Sequence, residues 1–153
     1  MVVSAGMEPE PAAGGMTAWQ AFAISLIYCV AVDRDVDAQE VGRLVSVFGG
    51  KVDRDTIEVG ASHRELFHRA VDYVRTHDTE EFLAIAVPIL SETQRLAILL
   101  NMVDSALANT TAEREERDLI AKFQRAFGIS DKRFRPFFEV ILLKNDRSIF
   151  TGA

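Results

Sequence analysis

Three aspartates alternate in residues 31–40, Ala-Val-Asp-Arg-Asp-Val-Asp-Ala-Gln-Glu, at Asp33, Asp35 and Asp37, and Glu40 follows one helical turn after the last of them. Carboxylates at this density are hard oxygen ligands of the kind Ca²⁺ and Mg²⁺ take, and the unpaired carbonyls ending a preceding helix would add neutral oxygens. Asp33, Asp35, Asp37 and Glu40 are therefore the candidate metal ligands, for at most one divalent cation. A second explanation needs no metal. Asp37 and Glu40 make the Asp-x-x-Glu pattern of a capping box just ahead of the apolar positions Val41, Leu44 and Val45. That explanation does not reach Asp33, which would face the negative end of the preceding helix, where an anion is unfavourable by about 0.3 to 1 kcal/mol. On the residues alone both readings stay open.

Other chemistries fit less well. Counted from Asp33, the sixth position of an EF-hand loop would be Ala38, where the turn needs glycine, and the twelfth would be Leu44, where a bidentate Glu belongs. His63, His68 and His77 are not at the i, i+4 spacing that puts two imidazoles on one helix face, and no HExxH accompanies them. The lone Cys29 lies inside the most apolar stretch and reads as a small core residue, which excludes a disulfide framework within the chain and most cysteine-based metal sites. There is no Gly-x-Ser-x-Gly, phosphate-binding glycine loop or dinucleotide fingerprint; Phe48-Gly49-Gly50-Lys51 is a helix stop. No catalytic residue and no cofactor beyond the candidate Ca²⁺ or Mg²⁺ is expected.

The acidic stretch must be positioned by helices. Trp19, Phe22, Ala23, Leu26, Ile27 and Val30 keep helical spacing, with Ile24, Tyr28 and Val32 making the other side apolar too, so this helix belongs in the middle of a bundle. The next helix starts at the Asp37 cap, buries Val41, Leu44, Val45 and Phe48 and stops at Gly49-Gly50. Leu66, Phe67, Ala70, Val71 and Val74 mark a third, ending near Thr76. Asp78-Thr79-Glu80-Glu81 is a capping box opening a fourth, with Phe82, Leu83, Ile85 and Ala86 inward and Pro88 kinking or ending it.

Ser91-Glu92-Thr93-Gln94 opens a fifth helix through Leu96, Leu99, Leu100, Val103 and Leu107, broadened by Ile98, Met102 and Ala106 into a second near-central element. Thr110-Thr111 breaks it. A sixth presents Leu119, Ile120, Phe123 and Phe127 before Gly128, and its charged opening, Glu113 to Asp118, is a solvated face. Ser130 caps a seventh that buries Phe134, Phe137, Phe138, Ile141 and Leu142, with Pro136 disturbing its first turns. No sustained period-2 pattern occurs. The expected class is all-α, a compact bundle of about seven helices.

A chain of 153 residues supports one domain with a real core. The expected organisation is a disordered leader over 1–16, the helical domain over 17–145 and a tail over 146–153. Met7 and Met16 are equally good starts, and the leader lacks the basic and apolar regions of a signal peptide. With 17 basic against 23 acidic residues and no basic run, nucleic acid is not an expected partner. The apolar run from Ala21 to Val32 is well short of the roughly 20 residues that span a bilayer, so the expectation is a soluble cytoplasmic protein with no membrane span.

The two near-central helices and their successors align with a shift of 75 residues, which pairs Glu40 with Glu115, Leu44 with Leu119, Val45 with Ile120 and Phe48 with Phe123. Residues 17–48 and 92–123 therefore read as a duplicated helix-loop-helix whose first helices touch. The loops differ. Asp33, Asp35 and Asp37 fall on Ala108, Thr110 and Ala112, so the second loop keeps no carboxylate ligand before Glu115 of the paired set.

At Ala31-Val32-Asp33-Arg34 to Glu40 the chain resembles the TerB-like family, the domain of tellurite-resistance proteins found also in a membrane-linked J-domain co-chaperone. The family pattern is an apolar helix ending in Ala-Asp-Gly, a small turn, and Glu seven positions after the Asp. Here Val32 stands between the Ala and the Asp, Arg34 replaces the Gly, and the second copy has Ala108-Asn109 where Asp-Gly would stand. Over residues 17 to 143 the resemblance implies a non-enzymatic, all-helical domain with acidic clusters implicated in metal binding. It further implies a role in tellurite or other stress responses, with a protein partner at or near the membrane surface. Two function classes follow: a cation-responsive module, or an interaction module whose acidic corner or helix groove docks a partner without metal.

Overall fold

Ten consecutive residues, Ala21 to Val30, are buried in the first helix, α1 (Ala18–Ala31). Only a central helix can be covered on every side. Ser25, fully buried in that run, returns its hydroxyl to the Ala21 carbonyl at 2.7 Å and so brings no unsatisfied donor into the core. The structure, a computed structural model, describes residues 15–31, 59–107 and 114–151.

Around α1 stand α2 (Val59–Thr76), α3 (Thr79–Ile89), α4 (Glu92–Leu107) and α5 (Arg114–Phe127), all of which pack against it. A sixth helix, α6 (Asp131–Asn145), lies on α4 and runs into a short 3₁₀ turn, Arg147–Phe150. The described residues are thus all helical, with six α-helices; the other expected helix, over 37–48 with its Asp37 cap and Gly49-Gly50 stop, lies outside them, as does the Thr110-Thr111 break.

Helix boundaries follow local chemistry. The Asp78 carboxylate accepts from the Glu81 amide at 2.8 Å while the Asp78 amide donates to the Glu81 carboxylate at 3.2 Å, a complete capping box. Ser91 and Gln94 repeat it at 3.1 and 2.8 Å. Thr17 and Gln20, a pair the sequence reading passes over, do the same at the start of α1. Gly128, at φ 70°, ends α5: its amide donates to the Arg125 carbonyl and that of Ile129 to Gln124, both at 3.1 Å, a Schellman motif with Ile129 buried. Pro88 lies one residue before the end of α3, where the Arg95 guanidinium reaches the Val87 carbonyl at 2.6 Å.

The interior is one cluster reaching from α1 to Ile129. An aromatic chain threads it, with ring centres 5.6 Å apart from Tyr28 to Phe82, 6.0 Å from Phe82 to Phe123 and 5.7 Å from Phe123 to Phe127. As the duplication requires, α1 and α4 touch, the Cys29 thiol reaching the Met102 carbonyl at 3.5 Å, with Leu26 and Leu100 in the same cluster. Full superposition of 17–48 on 92–123 involves residues outside the described set.

Two expected burials are corrected. Ile85 is 46 % exposed: α3 turns Phe82, Leu83 and Ala86 inward, and position 85 falls on the flank of that face. On α6 only Ile141 is buried, while Phe134 and Phe138 are half-buried and Phe137 and Leu142 are exposed, because among the described helices α6 packs chiefly on α4, which covers one side of it.

Candidate functional site

Asp33, Asp35, Asp37 and Glu40 all lie outside the described residues, as does the second loop over 108–113. Two features beside them are described. Asp33 comes two residues after Ala31, the last described residue of α1, and Glu115 sits exposed in the first turn of α5 beside Glu116. A carboxylate in the first turn of a helix is favoured by the dipole, which accounts for Glu115 without a cation. Among the described residues no group of three or more His, Cys, Asp or Glu side chains could hold a metal ion.

One turn before the end of α1, Tyr28 donates its hydroxyl to the His77 carbonyl at 2.7 Å, tying α1 to the junction of α2 and α3. Burial, then Tyr73 and the carboxylates of Asp78, Glu81 and Glu80, push the Tyr28 phenol well above its ordinary range, so it stays a neutral donor. Tyr73 stacks on His77 at 4.0 Å, and burial followed by Glu81 and Asp78 raises its phenol too; its hydroxyl is buried without a partner. Lys122 from α5 bonds the Thr79 hydroxyl at 2.6 Å and pairs with Glu80, whose carboxyl its hydrogen bond holds below the usual carboxylate range. The His77 ring nitrogen Nδ1 lies 2.9 Å from the Thr76 hydroxyl and 3.1 Å from the Tyr73 carbonyl, and His68 is exposed; the His63 side chain lies outside the described set. This junction fastens helices.

A cleft of about 410 Å³ opens between the start of α1, α2 and the flank of α3, walled by Met16, Ile24, Leu66 and Ile85 with Gln20 and Arg69 at its edge. Arg69 is occupied by Glu65 at 2.7 Å. The cleft is a largely apolar recess with no pair of groups set for acid–base work.

The outer face of α6 is different in kind. Pro136, Val140 and Leu143 follow one line at i, i+4 and i+7, flanked by Phe137, with Val140 65 % and Leu143 62 % exposed; Phe150 in the following turn is 87 % exposed. The opposite line, Phe134, Phe138, Ile141 and Asn145, meets the bundle. Polar clasps hold that orientation: Arg133 pairs with Glu92, and Lys144 and Asn145 both bond Asp104, at 3.0 and 2.9 Å. The sequence reading missed this surface: it followed Phe134, Phe137, Phe138, Ile141 and Leu142 at helical spacing and passed over Val140 and Leu143. The signal was available, since Pro136, Phe137, Val140, Ile141, Leu142 and Leu143 cover a wider arc than one neighbouring helix can bury.

The fold is thus an all-helical bundle around the touching apolar helices α1 and α4. The family model described as Tellurite resistance protein TerB matches residues 20–137, most of the chain, and the chain belongs to that family. No curated protein and no solved structure matches it. Among the described residues no helix is long and apolar enough to cross a membrane.

Proposed function

We propose that this chain is a non-catalytic TerB-family module that works by docking a partner in a tellurite or related stress response. The observation that carries this reading is the apolar line on the outer face of α6, held outward by ion pairs while the same helix rests on α4 through Ile141. Large side chains aligned in the open mark an interaction surface. Family membership supplies the tellurite connection through the family's name. The test is complementation in the source organism with its own copy deleted. Val140→Glu and Leu143→Glu chains that fold normally should fail to restore tellurite survival, and full restoration by both would overturn the reading.

A second reading adds a cation at Asp33, Asp35, Asp37 and Glu40. It is favoured by the sequence itself, three alternating aspartates with Glu40 three residues after the last, which are hard oxygen ligands of the kind Ca²⁺ and Mg²⁺ take. Ca²⁺ or Mg²⁺ at a hundred times its dissociation constant would then raise stability by about 2.7 kcal/mol. Asp33→Asn with Glu40→Gln should abolish the gain and Glu115→Gln should not. Calorimetric titration of chelator-treated protein decides, and no saturable binding up to millimolar cation removes this reading while leaving docking untouched.

A further inference from the structure

No further inference is drawn: the strongest candidate, the apolar line Pro136, Val140 and Leu143 on the outer face of α6, stands among exposed charges of both signs, and nothing in the structure shows what covers it.

Discussion

α1 and α6 are both rich in large apolar residues, yet α1 is covered on every side and α6 buries Ile141 alone. The difference lies in what surrounds them. α1 carries no charged residue and, among the described helices, has four against it, whereas α6 carries charges through its length and packs chiefly on α4. Apolar content decides that a helix has something to bury; the number of neighbours and the charges between the apolar positions decide how much stays in the open.

The sharpest way to break this comparison is to cut into the two central helices. Leu26 and Leu99 are 1 % and 0 % exposed, and Leu26→Ala or Leu99→Ala should each cost about 2 to 5 kcal/mol, through lost burial and the cavity left behind. Urea midpoints near wild type would contradict the central placement.

A smaller effect is expected where α1 makes its polar tie. Tyr28→Phe removes the bond to the His77 carbonyl and should cost about 0.5 to 1.5 kcal/mol at neutral pH. It should also change the alkaline limb. Because the folded phenol is raised above the ordinary value of 10.0, its contribution is complete below that pH and is lost as pH climbs toward the folded value. Melting temperatures between neutral pH and the alkaline end should therefore fall less steeply in the variant, with the share due to Tyr73 remaining. A parallel fall in both proteins would show that Tyr28 does not titrate as described.

The smallest effect belongs to the outer face of α6. Leu143→Ala should shift stability by no more than about 0.5 kcal/mol, because its side chain is already in water. A loss comparable to that of Leu26→Ala would mean that this face is covered in solution.

The parts of the fold legible from residues are those set within a turn or two of chain. Asp78 with Glu81, Ser91 with Gln94 and the stop at Gly128 depend on groups three to five residues apart, so their chemistry is complete in the sequence. The all-round burial of α1 was legible for a related reason: no face of it could tolerate water. Ile85, Phe137 and Leu142 were misplaced because each sits at the margin of an apolar arc, and whether a margin is covered depends on the approach of another helix. The candidate ligands Asp33, Asp35, Asp37 and Glu40 fall in a segment outside the described residues, so for them the alternation of carboxylates remains the whole argument.

The fastening of α6 has a consequence for how the molecule opens. Its clasps to Glu92 and Asp104 are ion pairs at the surface, which ionic strength weakens, whereas the contacts of α1 are apolar and salt leaves them largely alone. The two helices are therefore expected to be separate units in hydrogen exchange: amide protons of α6 should trade with solvent through a local opening whose frequency rises with salt, and those of α1 should wait for the whole bundle to come apart. Ionic strength should thus adjust how often the inner side of α6 is released, on top of the burial of Ile141 and Phe134, while the centre of the protein stays intact.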